Sequence, residues 1–280
     1  MKKILKDNYN IDICEYKEYG DGILFFYNSS YFYFCKCYFD EEYLINLNYF
    51  CLKLNSNRFH YFIYNKNGAL LSDNYVLMKI NVFIEDISEE DICFFQKYDF
   101  SFFKNKYLSF DKMWEYRIDY LERQLSEISL NTLINNSFDY FIGISEILIK
   151  FYRENVNNEE LKLSLSHNRL NTLSTIDYYN PLNLSLDCNL KDWARYFKGV
   201  CNEHEINDIL KKVNIAEKCY LFVRLVFPFE YFNEVSDVLL DGKSEDKIID
   251  IISEIDKYEE YIWKIEEMFG IYLFSWIKKE

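Results

Sequence analysis

The feature that most constrains this chain is a change in its hydrophobic period near residue 85. Before it, apolar and polar residues alternate in short runs separated by turn residues; after it, apolar residues return every three or four positions. A chain patterned in this way is expected to build a small sheet first and a larger helical body afterwards. Residues 11–37 read as three strands: IDICEYKEY, then GILFFY after the turn Gly20-Asp21-Gly22, then YFYFCKC after the turn Asn28-Ser29-Ser30. On the third, Tyr31, Tyr33, Cys35 and Cys37 share one face, and Phe32, Phe34 and Lys36 share the other. Asp40 is positioned to cap a helix over 41–54, with Leu44, Leu47 and Phe50 at helical spacing. RFHYFIYN, the turn Lys66-Asn67-Gly68, a short ALLS and YVLMKINV complete the sheet.

The helical part opens on Ser88, which has an acidic residue three positions later, a capping-box pattern for a helix over 88–97. Further helices are expected over 111–129, 133–154, 190–198, 203–213, 216–227, 229–240 and 244–269, with Gly242 as a break. One stretch interrupts them. Leu163–Gly199 reads as loop and short strand, and it holds one of the three histidines and one of the two prolines. No repeat, low-complexity linker or Pro/Gly-rich hinge occurs, so two packed lobes are expected. Residues 1–85 form a β-rich N-lobe, and residues 86–280 form a helical C-lobe containing a hairpin at 163–199. The predicted class is α+β: a small antiparallel sheet carrying one helix, then a larger mainly helical lobe. That element order is the protein-kinase-like plan.

Charge and rare residues narrow the function. Acidic residues outnumber basic ones 46 to 32, a formal charge of −14 spread along the chain. DNA and RNA are therefore not expected as partners, since their recognition needs a basic footprint, and an anionic membrane surface is disfavoured for the same reason. Eight cysteines and three histidines show no zinc-ligand spacing, which fits reduced, buried thiols in a cytoplasmic protein. The opening MKKILKDNYNID lacks an apolar core of the signal-peptide kind, and no run of 18 apolar residues occurs. Neither a G-x-S-x-G nor a Walker loop is present. Aromatic pairs such as Phe94-Phe95, Phe102-Phe103 and Tyr178-Tyr179 read as core or interface. Aromatics left exposed in residues 98–110 would mark a surface for a protein partner.

The C-terminal half carries a resemblance. WEYRIDYLERQLSEI, FDYFIGISEILIKFY, LSHNRL, NPLNLSLDCNLKDWARYFK, LFVRLVFPFEYFNEV, YEEYIWKI and the ending WIKKE resemble uncharacterised kinase-like proteins of low-GC Gram-positive bacteria. These are related to spore-coat-associated kinase-like proteins and, more distantly, to aminoglycoside and choline phosphotransferases. The resemblance covers roughly residues 110–280, and the N-terminal lobe matches only in its element order.

In active aminoglycoside-type phosphotransferases the hairpin carries His-Gly-Asp, an Asn five residues on, and a strand ending in a metal-binding Asp. The first Asp takes the acceptor's proton; the Asn and second Asp hold the magnesium bound to ATP. By this resemblance the triplet here is His167-Asn168-Arg169, and an always-charged guanidinium cannot serve as base. Ser174 stands five residues on, with Asn171 close by. Asp187, ending LSLD, matches the metal-binding position, and Asp192 the structural Asp opening the next helix. Arg169 would either bind an anionic ligand or fill the magnesium site by pairing with Asp187 or another acid. His167 reads as the hairpin's folding anchor, and Asp187 as a metal ligand or the cap of the following helix. Lys36 is the candidate nucleotide lysine, with Glu41 or Glu42 as its partner, or else a surface lysine. The turn at Gly20-Asp21-Gly22 has glycines, but Asp21 would repel phosphate.

The expectation is a pseudokinase: a degenerate kinase-like binding or scaffolding protein with no assigned cofactor, working through protein partners in the cytoplasm. The rival is an active small-molecule phosphotransferase using ATP and Mg, with Asp187 holding the metal and Asp177 standing in as base. A third reading, an acidic inhibitor that mimics nucleic acid, is disfavoured by the even spread of charge.

Overall fold

The structure, a computed structural model, describes residues 1–54, 57–81, 85–97, 102–103, 109–127, 132–168, 170, 172–200 and 203–277, with only the backbone of Ser126 and Val200. In chain order the first elements are α1 (Lys2–Tyr9), β1 (Lys17–Tyr19), β2 (Gly22–Tyr27), β3 (Ser30–Lys36), α2 (Glu41–Lys53), β4 (Tyr61–Ile63), β5 (Leu71–Ser72), β6 (Tyr75–Lys79) and α3 (Glu89–Phe95). Two long helices follow, α4 (Phe110–Glu127) and α5 (Thr132–Asn155), then β7 (Leu163–His167), α6 (Thr175–Tyr178) and β8 (Leu184–Cys188). The last helices are α7 (Lys191–Val200), α8 (Glu203–Leu210), α9 (Ile215–Val226), α10 (Phe229–Asp241), α11 (Asp246–Ser253) and α12 (Ile255–Phe269).

Packing divides the chain into two compact units: residues 1–106 with 164–187, and residues 107–163 with 188–280. The hairpin loop thus packs with the sheet, whereas a division at residue 85 groups it with the helices.

In the first unit the strands run in the order β1-β2-β3-β6-β4, all antiparallel, with β5 paired to β6. Tight turns set the register. Gly20 adopts φ +52°, Asn28 and Ser29 lie at +45° and +60°, and Asp73 and Asn74 at +51° and +64°. These left-handed pairs match the twist of the strands they join. Gly22 is required for a different reason, because a Cβ there would come within 2.4 Å of the Phe34 carbonyl oxygen. One sheet face buries Ile23, Phe25, Phe34 and Leu77 against Leu5, Ile11 and Ile13. The other buries Tyr33, Cys35, Val76 and Met78.

α2 begins as its sequence predicts, with the Asp40 carboxylate accepting from Tyr43 N–H at 2.7 Å. Its first-turn Glu41 accepts from the backbone N–H groups of Leu70 and Leu71 at 2.7 and 2.8 Å, which ties the helix to the start of β5. Ser88 and Asp91 complete the expected capping box of α3.

The opening charged segment, on which the sequence pattern is silent, forms a helix, α1, whose Leu5 is fully buried. Two expectations are corrected. The first strand is confined to residues 17–19, since Ile11 and Ile13 enter the core beneath the sheet without pairing in it. The helix expected over 244–269 breaks at Glu254 (φ −102°, ψ 16°), which ends α11 and starts α12.

The second unit is organised on α9, ten of whose twelve residues are buried. Asn214 and Glu217 form its capping box, and it packs against α5, α7 and α12. Among the described residues, no helix is long and apolar enough to cross a membrane. Among the described residues Cys35, Cys37, Cys51, Cys188 and Cys219 are buried, and burial raises Cys51 to about 12.

Candidate functional site

β7 and β8 form a two-stranded sheet, and Asn168 N–H donates to the Asn183 carbonyl at 2.7 Å where the strands open into the loop. His167 ends β7 and is 1% exposed. Its Nε2–H donates to the Tyr178 carbonyl at 2.7 Å, and its ring lies 4.2 Å from the Tyr178 ring and 5.0 Å from that of Phe95. The Asn168 side chain is exposed. Arg169 and the neighbouring Asn171 lie outside the described residues.

Asp177, the alternative base, is 5% exposed on the one-turn helix α6. Its Oδ2 accepts from both the backbone N–H (2.9 Å) and the hydroxyl (2.8 Å) of Thr172. A carboxylate oxygen holding two donors from one residue braces the loop between them. With its own proton on Asp177, Thr172 Oγ1 accepts from the Ser174 hydroxyl at 2.9 Å, and the Tyr19 hydroxyl joins both, at 3.1 Å from Thr172 Oγ1 and 2.9 Å from Ser174 Oγ. Tyr19 is the last residue of β1, directly before the Gly20 turn. Its backbone carbonyl accepts from the Tyr33 hydroxyl at 3.2 Å, and the two rings meet edge to face. Burial raises the Tyr19 hydroxyl pKa, so it stays a protonated donor here.

The same loop is fastened on two more sides. Thr175 N–H donates to the Glu85 carbonyl (2.8 Å), Ile87 N–H to the Leu173 carbonyl (2.7 Å), and Asp86 and Ser174 form an isolated bridge. Behind it, Arg58 donates to Asp91 at 2.8 Å and to the Tyr179 hydroxyl at 2.9 Å, while that hydroxyl also bonds Asp91. Burial opposes ionisation of Asp91, but donors from Tyr179 and Ser88 and the Arg58 charge hold its pKa below the ordinary range. His60 Nε2–H donates to the Ile176 carbonyl at 2.9 Å, and burial lowers its pKa to about 4.

The remaining candidates lie elsewhere. Lys36 is exposed at the end of β3, its ammonium 5.0 Å from the Tyr38 ring centroid. Of its two expected partners, Glu41 is committed to the Leu70 and Leu71 N–H groups, and Glu42 is exposed. Asp187 is half-buried near the end of β8, and Asp192 is buried in the first turn of α7. In residues 98–110, the described Phe103 is buried and Phe102 stacks on Phe50; the rest of that aromatic run, 98–101 and 104–108, lies outside the described residues. Among the described residues no three His, Cys, Asp or Glu side chains are grouped to hold a metal ion. Among the described candidates, Asp177 accepts from Thr172 and Glu41 from the Leu70 and Leu71 N–H groups, so neither is poised for a Mg·ATP grip.

Thr172, Tyr19, Arg58 and Tyr179 escape sequence reasoning. Their hydrogen-bond partners lie far off in the chain or, for Thr172, depend on a loop conformation that no periodicity announces.

No protein-family model matches the chain. No curated protein matches it either. Solved structures do. An aminoglycoside phosphotransferase from Alicyclobacillus acidocaldarius superposes with a TM-score of 0.58 at 10% identity, over 92% of this chain and 93% of that one. A spectinomycin phosphotransferase, in complex with ADP and spectinomycin, superposes with a TM-score of 0.55 at 12% identity, over 96% of both chains. The chain has the kinase-like fold of these phosphotransferases, as its element order predicts.

Proposed function

We propose that this chain is a degenerate kinase-like protein, a pseudokinase whose former catalytic loop is a structural brace and which works as a binding or scaffolding module for a protein partner. The observation that carries the reading is the network Tyr19–Thr172–Ser174–Asp177. In the kinase-like plan the β1–β2 turn covers the nucleotide phosphates and the hairpin loop supplies the base. Here a side chain from the first is hydrogen-bonded directly to the second. The carboxylate offered as substitute base already accepts two hydrogen bonds from Thr172 on one of its oxygens. Arg169 at the base position supports the same reading from sequence.

A binding role draws support from α2. Ile45, Tyr49 and Leu52 are exposed by 48, 67 and 57% and fall on one stripe of that helix, opposite the buried Leu44, Leu47 and Cys51. The cytoplasm of a sporulating or related low-GC Gram-positive bacterium is the setting that goes with this reading, on the resemblance of residues 110–280.

Activity and stability separate brace from base. Incubated with Mg·ATP and aminoglycoside or choline acceptors, the protein is expected to release no ADP above a blank. Asp177→Ala is expected to cost about 1–3 kcal/mol of stability, because Thr172 loses its buried acceptor. Acceptor-dependent ADP release that disappears in Asp177→Ala while stability is unchanged would establish the active phosphotransferase instead.

A further inference from the structure

In the second unit one arginine is buried without a counter-charge. Arg224, in the last turn of α9, is 9% exposed. Its guanidinium carbon lies 4.3 Å from the Phe229 ring centroid and 5.6 Å from that of Phe110. Among the described residues it has no hydrogen-bond or ion-pair partner, and its Nε–H is buried and unsatisfied. Burying an unpaired charge is costly enough that native proteins pair it. With 46 acidic residues in the chain, a shortage of carboxylates does not explain the omission.

Other features converge on the same ring. Lys198 of α7, half-exposed overall, turns its ammonium inward to donate to the Phe227 carbonyl at 2.8 Å, with its Nζ 5.0 Å from the Phe229 centroid. Phe229 is the first residue of α10, which follows Pro228 and has no side-chain cap, so the positive end of a 13-residue helix lies beside both cations. The charged groups acting on Lys198 are Arg224 and Arg195 against Glu230 alone; with burial first, the two arginines lower its pKa to about 7. Asp111, next to Phe110, is engaged by Arg153, which also holds Glu115. The locality is therefore short of negative charge in a strongly acidic protein.

We propose that Arg224 and Lys198, with the N-terminus of α10, form an oxyanion-binding site that takes a phosphate or carboxylate group against the Phe229 ring. An oxyanion there accepts from the guanidinium and from first-turn N–H groups, which is how helix N-termini hold such ligands. The site is built from α7, α9 and α10 and owes nothing to the hairpin loop.

The test is thermal melting at constant ionic strength, titrating the protein with inorganic phosphate and separately with acetate, chloride being the reference. A saturable rise in Tm is expected with at least one of them. The apparent affinity should fall roughly fivefold or more in Lys198→Met and vanish in Arg224→Gln. Stabilisation by phosphate alone points to a phosphorylated ligand; stabilisation by acetate as well points to a carboxylate. If Arg224→Gln does not fold, Lys198→Met and Arg224→Lys carry the comparison. No saturable rise with either anion, or an equal rise in the folded variants, overturns the proposal.

Discussion

His60 shows what one buried side chain contributes to the first unit. It is 2% exposed, it donates to Ile176, and its Nδ1 is buried without a partner. Its folded pKa of about 4 lies below the ordinary 6.5, so the unfolded chain binds the proton first. The stability His60 supplies is complete above about pH 6.5 and is lost as pH falls towards 4, by up to about 3 kcal/mol. Denaturant melts between pH 7 and 5 should show this slope, and His60→Gln, which can keep a donor to Ile176, should flatten it while lowering stability at pH 7. An unchanged slope in the variant would mean that other groups set the acid limit. At this scale the sequence is uneven as a guide. His167 and Asp177 stand out there because histidines are few and because the hairpin is where the plan seeks a base. Their partners do not, since a backbone carbonyl at Tyr178 and a hydroxyl at Thr172 become neighbours only when the loop has folded. Arg58, Asp91 and Tyr179 meet across 121 sequence positions for the same reason.

Elements were more legible. β2, β3 and α2 follow from alternation, two-residue turns and the Asp40 cap, each a local signal. α5 and α9 follow from broad apolar faces of helical period. α1 was hidden because Lys2, Lys3, Lys6 and Asp7 surround its few apolar residues, so that only Leu5 is fully buried. The break at Glu254 was hidden because neither glycine nor proline marks it. α1 nevertheless closes one face of the sheet, packing Leu5 with Phe25, Phe34 and Leu77. Leu5→Ala is therefore expected to destabilise the protein by about 2–5 kcal/mol in denaturant melts, as for a core leucine. A loss below about 0.5 kcal/mol, typical of surface substitutions, would show that α1 is not part of the core.

For the whole molecule, the fold agrees with phosphotransferases at 10 and 12% identity. A fold is specified redundantly by dozens of apolar positions, each replaceable by another hydrophobe, whereas a phosphoryl-transfer site depends on a few side chains that no neighbour can replace. The architecture was therefore readable from pattern, while the proposed loss of the base rests on the resemblance of three letters, His167-Asn168-Arg169. What could not be read is how the loop uses the space, with Tyr19 bonded to Thr172 and Ser174. The most direct test of this account is a calorimetric titration of the intact protein with ATP in the presence and absence of Mg²⁺. The account predicts no saturable heat in either case. Saturable, Mg²⁺-dependent binding that is lost in Asp187→Asn would contradict it.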